Sequence, residues 1–188
     1  PSSVTFIGDL SFQFSKLKGT LTLPESLTTI GNDAFSDTEF SSTLNLPNNL
    51  IIINRGAFEN DQGFVGDLTL NHNLKILESN SFKNCTGFNG QLTIQENIEV
   101  IGKNAFMLTH FVAIEFKGTT NIPNCDELGL SHIELDLPNN YNGESFCNIP
   151  VHSQAGGKKP LSGTLIALIV VLIIAILVVT FVIVFLMR

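Results

Sequence analysis

Apolar residues recur along the first two thirds of the chain with a period of 23 or 24 residues. The stretch Leu21 to Phe40, LTLPESLTTIGNDAFSDTEF, supplies the pattern, which returns at Leu44 to Phe64, Leu68 to Phe88 and Leu92 to Phe111. The residues before Leu21 match only the second half of the pattern, so the chain opens partway through a unit. Self-similarity at a fixed period of this length indicates a repeat architecture, in which stacked units bury a shared core.

Several columns of the repeat keep this register independently. One column is a Leu-x-Leu pair flanked by polar residues, as a short half-buried strand requires. Two other columns are phenylalanine, and their rings are predicted to fill the core of the stack. The first consists of Phe12, Phe35, Phe58, Phe82 and Phe106, and the second of Phe40, Phe64, Phe88 and Phe111.

The repeat also predicts the local structure of each unit. The Leu-x-Leu strand is expected to end at Pro24 or Pro47, because proline cannot donate to a strand ladder. The next segment is predicted to turn the chain back, and the Ala-Phe pair within it is predicted to form a one-turn helix. Gly8, Gly31 and Gly102 share a column, where a positive φ or a close approach of two backbones favours glycine.

These motifs resemble those of the BspA-type leucine-rich-repeat surface proteins. LTLPESLTTIGNDAF and LTIQENIEVIGKNAF match the repeat of that family closely, and NCTGFNGQLTI resembles its joint between units. The resemblance covers residues 1–116 and implies a mostly β solenoid with short strands and one-turn helices. It also implies the C-terminal fragment of a cell-surface protein that contacts host cells or extracellular matrix.

The rest of the chain divides into three parts. The period breaks after residue 116, and residues 117–150 are predicted to form a degenerate C-terminal cap, because terminal repeats must cover the last apolar layer. Residues 151–163 are polar and Gly-rich, which indicates a flexible tether. Residues 164–187 carry no charge and are long enough to cross a hydrocarbon core of ~30 Å as one tilted transmembrane α-helix.

The side of the membrane on which the repeats lie is not decided by charge alone. Lys158 and Lys159 on the repeat side outnumber Arg188, and the positive-inside rule would then keep the repeats in the cytosol. The family resemblance implies the opposite orientation, a single-pass plasma-membrane protein with extracellular repeats, and we adopt it as the prediction.

Charge and residue spacing narrow the expected partners. Seven of the 10 Lys and Arg residues and all 17 acidic residues precede residue 158, so residues 1–157 carry a net charge of −10. This balance argues against a nucleic-acid partner, whose binding depends on cations that neutralise phosphates. Gly163, Ala167 and Ala175 follow a four-residue spacing that predicts only weak self-association through the transmembrane helix.

Polar residues beside the leucines of the strand column are expected to line the ligand-facing side of the repeats. One interpretation is that they merely keep outward positions soluble. The other, which we adopt, is a hydrogen-bonding surface for an extracellular protein or glycan, with a tail-anchored cytosolic scaffold and a ligand-free surface coat antigen as alternatives. The candidate contact residues are Thr20, Thr22, Thr43, Asn45, Asp67, Thr69, Gln91, Thr93 and Glu115.

Two further kinds of site are predicted from cysteine and asparagine. A disulfide between Cys125 and Cys147 would stabilise the cap by about 3 kcal/mol in an oxidising compartment; alternatively, both remain buried free thiols. Cys85 is left over as a core thiol or an intermolecular partner. Asn84 begins the one Asn-x-Ser/Thr sequence in the chain and is a glycosylation candidate if the repeats reach a secretory lumen.

The sequence gives little support to catalysis. His72, His110, His132 and His152 are scattered, and none lies at metal-ligand spacing with a cysteine or a carboxylate. Glycine-rich phosphate loops and glycine-flanked nucleophilic serines do not occur. We therefore predict no enzyme, no metal and no cofactor. His72, between two asparagines, is interpreted either as a contact residue or as part of a solvated turn.

Overall fold

The computed structural model describes residues 2–130 and 133–151, which wind through about six coils of short strands. The described strands are β1 Phe6–Ile7, β2 Lys18–Gly19, β3 Thr29–Ile30, β4 Glu39–Phe40, β5 Ile52–Ile53, β6 Gly66–Thr69, β7 Ile76–Leu77, β8 Phe88–Ile94, β9 Val100–Ile101, β10 Ala113–Phe116, β11 Asn124–Cys125, β12 Glu134–Asp136, β13 Ser145–Phe146 and β14 Ile149–Pro150. The predicted mostly β solenoid is confirmed.

Two multi-stranded parallel sheets run along the stack, and β2 and β4 form a separate parallel pair. The long sheet has the order β1-β3-β5-β7-β9-β11, with one strand from each coil, and the short sheet has the order β12-β10-β8-β6. Residues one repeat apart are partners in the long sheet, as Ile7 is with Ile30 and Ile30 with Ile53. The period in the sequence is therefore the distance along the chain between neighbouring strands.

The long sheet lies where the sequence predicts only a turn. Its strands are two residues long, and the four inner strands each have one half-buried and one buried residue, as Thr29 and Ile30 show in β3. A run this short carries no alternation for a sequence pattern to detect. Parallel ladders that cross from coil to coil hold these strands, so the sheet depends on neighbours 23 or 24 residues away.

The predicted one-turn helices are wrong. The Ala-Phe segments form successive turns, and no α-helix occurs within residues 2–130 and 133–151. The backbone N–H groups of Asp33, Phe35 and Asp37 donate to carbonyl oxygens of the next coil at 2.8 to 2.9 Å. Asp33 and Asp37 also have φ values of 51° and 58°, and left-handed residues at this spacing interrupt a right-handed helix.

The Leu-x-Leu strands form only in the later units. The segments at Leu21 and Leu44 are not strands, whereas the corresponding segments of β6, β8 and β10 build the short sheet. Lys117, which follows β10, donates its N–H to the Ile94 carbonyl in the preceding coil at 2.9 Å. Pro47 occupies the equivalent position in an earlier unit and has no N–H to donate.

Phenylalanine rings stack along the core, as predicted. Phe35 and Phe58 have centroids 5.3 Å apart, Phe58 and Phe82 5.1 Å apart, and Phe82 and Phe106 5.8 Å apart, all with nearly parallel planes. These four rings are buried. Rings of the second column meet them edge on, as Phe64 meets Phe58 at 6.0 Å. Such offset and edge-to-face contacts add to the stabilisation from burial.

The glycine column marks a close approach of two coils. A Cβ on Gly31 would lie 2.6 Å from the Gly8 carbonyl carbon, and one on Gly102 would lie 2.4 Å from the Ser79 nitrogen. Of the two predicted reasons for glycine, close backbone approach is the one that applies here.

Parallel stacking continues beyond residue 116. β11 joins the long sheet and β12 joins the short sheet, and the antiparallel pair β13 and β14 follows them. Phe116 packs on Phe146 with ring centroids 4.8 Å apart, and the Tyr141 ring meets Phe116 edge on at 6.2 Å. The last apolar layer is thereby covered.

Several predictions fall outside the described residues. They include the transmembrane helix at 164–187, all of the tether except Val151, and the histidines His132 and His152. Within the described part, no helix is long and apolar enough to cross a membrane.

Candidate functional site

The predicted ligand-facing residues lie in a row that alternates with buried leucines. Asn45 lies between Leu44 and Leu46, and Thr69 lies between the buried Leu68 and Leu70. The first six members of the row are exposed and the last three are half-buried. Alternation therefore places the side chains outward even in the two early units that form no regular strand.

An open groove of about 530 Å³ lies on the middle of this row. Thr43, Asn45, Asp67 and Thr69 contribute to it from the row. Sequence reasoning missed other members, Asn48, Asn71 and Gln95, which follow the Leu-x-Leu segments of successive units. The signal was their position in the repeat, one or two residues after the predicted strand, where the sequence predicts only a strand end.

His72 also lines the groove. Its side chain is exposed, and its Nδ1 lies 3.9 Å from Oε1 of Glu96 in the following coil. His72 therefore lines the groove and is also exposed to solvent.

In the C-terminal part of the row, the candidate residues form hydrogen bonds with one another. Oε2 of Glu115 accepts hydrogen bonds from Nε2 of Gln91 at 3.1 Å and from Oγ1 of Thr93 at 3.4 Å. Oε1 of Glu115 forms an ion pair with Lys117. These three candidate residues thus spend part of their hydrogen-bonding capacity on one another. By contrast, the side chains of Asn45 and Thr69 make no hydrogen bond within the described residues.

Strand β12 extends the row beyond the predicted residues. Asp136 is the partner of Glu115, and Glu134 is the partner of Ala113. Both acidic side chains lie on an exposed part of the strand. The Leu135 and Leu137 pair carried the signal for this strand, because it repeats the Leu-x-Leu motif.

Asparagine side chains connect successive coils. Asn49, Asn73 and Asn97 each donate Nδ2 to a carbonyl oxygen in the preceding coil, at 2.8, 2.9 and 3.2 Å. Their spacing of 24 residues was visible in the sequence but was not used. We call this column the asparagine ladder, and it shows that many of the asparagines stabilise the stack.

The glycosylation candidate Asn84 belongs to a second ladder. Its Nδ2 donates to Oδ1 of Asn60 at 3.0 Å, and Asn60 donates to Oδ1 of Asp37 at 3.1 Å. Asn84 is half-buried and has a φ of 58°. The amide nitrogen to which a glycan would be attached therefore already has a partner in the folded chain. Glycosylation of Asn84 stays a prediction.

The structure brings the two candidate disulfide cysteines together. Cys125 and Cys147 are joined with a Cα–Cα distance of 5.0 Å, which ties β11 to the end of β13. Cys85 is a buried free thiol that donates to the Phe58 carbonyl at 3.0 Å. Burial raises the pKa of Cys85, and the neighbouring Asp61 charge raises it further. A thiol held neutral in this way is a poor nucleophile.

Asp61 is a buried carboxyl that the sequence analysis did not single out. Its Oδ1 accepts from the backbone N–H of Thr38 at 2.9 Å and from the Thr38 hydroxyl at 2.8 Å, while Oδ2 has no partner. Burial raises the pKa of Asp61 to about 7, against the effect of the Thr38 hydrogen bonds. The signal was its column, in which Ser15, Thr38, Cys85 and Thr109 occupy the other units.

The described residues offer no arrangement for metal chemistry. Among residues 2–130 and 133–151, no three His, Cys, Asp or Glu side chains are grouped closely enough to hold a metal ion. The geometry is that of a repeat solenoid with an exposed polar row, a fold class typical of protein interaction and not of catalysis.

Comparison with protein families agrees with this class. Six copies of the BspA type leucine rich repeat region match residues 5–126. The chain therefore belongs to the BspA-type leucine-rich-repeat family. Searches of curated proteins and of solved structures each found no match.

Proposed function

We propose that this protein is a surface recognition module that attaches cells to a host cell or to extracellular matrix. In this proposal, residues 164–187 anchor the chain as a single plasma-membrane span, and the repeats face outward. The family membership supports a surface interaction role, and the uncharged stretch at 164–187 supports the anchor.

The observation that carries the proposal is the unused hydrogen-bonding capacity of the groove. Asn45 and Thr69 present an amide and a hydroxyl to solvent, and neither has a partner within the described residues. Solubility alone does not require a concave site. Specific ligand contacts form where polar side chains have no partner in the protein and are partly enclosed. Copies that crowd in one membrane would multiply a weak affinity by avidity.

The first experiment tests the orientation. Protease is added to intact cells and to permeabilised cells that express the full chain. We expect cleavage of the repeats in intact cells, since an extracellular solenoid is accessible. Repeats that survive in intact cells and are lost only after permeabilisation would support the cytosolic scaffold and overturn the proposal.

The second experiment tests recognition. Thr22, Asn45 and Thr69 are replaced together by Lys, and attachment of the displaying cells is measured. We expect attachment to fall at least tenfold, because three long cations block the row. The matched control replaces Ile51, Leu108 and Val112 by Lys, which adds the same charge at exposed positions outside the row. Attachment that is unchanged in the first variant would favour a coat without a ligand.

A further inference from the structure

The groove lies where the regular ladder of the short sheet is interrupted. The pairing of β6 with β8 shifts register between Gly66 and Leu68, an irregularity of the β-bulge kind. Gly66 has a φ of 78°, a conformation that glycine adopts readily. Bulges bend a strand and redirect its side chains, and they are frequent beside binding sites. The register shift therefore lies beside the groove, because Gly66 is one of the residues that line it.

A buried amide in the lining of the groove connects two coils. Asn71 stands in the column of Pro24 and Pro47, and its Nδ2 donates to the carbonyl oxygens of Pro47 and Leu50. The second of these hydrogen bonds is 3.1 Å long. Asn71 therefore fixes the turn of the preceding coil against its own coil. A site that is rigid before binding loses less conformational entropy when it takes a ligand.

The chemistry of the lining selects a class of ligand. Asn45 and Asn48 offer amides, and Thr43 and Thr69 offer hydroxyls, so donors and acceptors stand side by side. Lys, Arg, Trp and Tyr are absent from the groove lining, as the structure describes it. A phosphate or sulfate would find no lysine or arginine there, and a protein partner would find none of the aromatic or arginine anchors that dominate protein interfaces.

The single carboxylate of the groove is partly occupied. Oδ1 of Asp67 accepts the backbone N–H of Gln91 at 2.7 Å. Asp67 therefore retains one free oxygen as an acceptor, which suits a ligand hydroxyl. Further along the row, Glu115 takes the hydrogen bonds of Gln91 and Thr93. The free capacity of the row is thus concentrated in the groove.

We infer that this groove binds a neutral, hydroxyl-rich ligand, a short uncharged glycan, with Asn45 and Thr69 as its principal contacts. Each sugar hydroxyl both donates and accepts, and paired amides and hydroxyls satisfy both functions. A volume of about 530 Å³ lies in the range of ordinary small-ligand sites. The inference rests on the proposed recognition function and names the chemistry of its ligand.

The test measures glycan binding by the full chain, immobilised at high density in mild detergent. The probes are printed neutral oligosaccharides, with sialylated and sulfated oligosaccharides beside them. We expect neutral probes to be retained and acidic probes not to be. The double variant Asn45→Ala with Thr69→Val should lose at least tenfold of this binding. Thr119→Val, at an exposed position outside the row, should keep it.

Folding is controlled separately from binding. Asn45 and Thr69 are exposed, so the double variant should keep the far-ultraviolet circular dichroism and the melting temperature of the parent. Should the double variant fail to fold, Asn45→Asp serves instead, since it keeps the shape of the side chain while removing its donors. We expect Asn45→Asp to lose binding to neutral probes as well.

Two results would overturn the inference. One is the absence of retention of neutral oligosaccharides by the parent chain, and the other is equal retention by the groove variants. If the groove variants lose cell attachment while neutral oligosaccharides neither bind nor compete, the ligand is a protein. In that case the glycan inference fails and the recognition function stands. If attachment is also unchanged, both fail.

Discussion

The two ends of the described stack differ in how far their terminal aromatic side chains are buried. At the C-terminal end, Phe116 is only 2% exposed, because Phe146 and Tyr141 cover its ring. At the N-terminal end, Phe12 stacks on Phe35 at 5.2 Å with its other side uncovered and is 39% exposed. The other large apolar side chains exposed within the first 17 residues are Phe6, Leu10, Phe14 and Leu17.

A repeat unit buries the apolar contact between two neighbouring coils, whereas the outer face of a terminal coil needs other residues to cover it. Val4, Ile7 and Phe12 line an apolar cavity of about 290 Å³ at the first coil, with the same kind of residues that are buried in the middle. A repeat buries its apolar face only against a neighbour. The last coil has such a neighbour in β13 and β14, which depart from the pattern and pair antiparallel.

The largest expected difference between the ends concerns their aromatic residues. Phe146→Ala should lower the free energy of unfolding by about 4 kcal/mol, because it leaves a cavity under the cap. Phe12→Ala should lower it by only about 1 to 2 kcal/mol, since its ring is already partly in water. Urea denaturation followed by circular dichroism measures both. Equal losses would mean that the ends are packed alike.

The disulfide should account for a further part of the difference. Replacing Cys125 and Cys147 together by Ser opens a link with a sequence separation of 22 residues. The loss expected from the chain entropy of such a loop is about 3 kcal/mol. The control is the parent chain in reductant, which should melt like the double variant. If mass mapping of cell-derived protein finds both cysteines alkylated without reduction, the prediction fails.

The pH dependence of stability should also differ between the two ends, because Asp61 joins the second and third coils through its hydrogen bonds with Thr38. The pKa of Asp61 is raised from 3.8 to about 7, so the fold favours the protonated carboxyl. The stability from Asp61 is full below pH 3.8 and is lost as pH rises through about 7. Between pH 6 and pH 8 this amounts to about 1 kcal/mol.

Asp61→Thr, which copies Thr38 and Thr109 of the same column, isolates this effect. The groups near Asp61 and Cys85 that also carry charge are Asp37 and Glu59, and the variant leaves them unchanged. Hydrogen exchange should show that the first two coils of the parent lose protection from pH 6 to pH 8 while the cap does not. A variant with the same pH dependence as the parent would assign the effect to other groups.

The smallest expected effect concerns the exposed apolar residues of the first described coil. Phe14 is 66% exposed, so Phe14→Ser should change the free energy of unfolding by less than about 0.5 kcal/mol. It should nevertheless reduce the binding of a hydrophobic dye, because it removes apolar surface. Val112→Ser, at an exposed position away from this end, is the matched control. Equal dye binding by the parent and Phe14→Ser would show that the first coil is not the hydrophobic surface.

Sequence reasoning was most successful where one side chain repeats. The Phe column, the alternation of leucine with polar residues and the solenoid class all follow from residues 23 or 24 apart, and the structure confirms them. Sequence reasoning failed where backbone hydrogen bonds hold the structure. The two-residue strands and the Ala-Phe turns are held by N–H groups that donate to another coil, and this leaves no local pattern of side chains.

The candidate site divides in the same way. The sequence predicted the nine residues of the row, since an outward position in a strand follows from alternation. It did not predict the hydrogen bonds that Glu115 accepts from Gln91 and Thr93, nor the one that Asn71 donates to the preceding coil. Those contacts join residues of different coils, and only the register of stacking brings them within hydrogen-bond distance.

What the sequence by itself determined is the period, and with it the family, the shared core and the side chains that face outward. Burial of an apolar face is a nearest-neighbour requirement, so a repeated residue reports it directly. Only the tertiary structure decided which sheet is continuous, which polar groups remain free and where the groove opens. These depend on hydrogen bonds between coils and on the register of strand pairing, which shifts between Gly66 and Leu68, and geometry of that kind is set only when the coils stack.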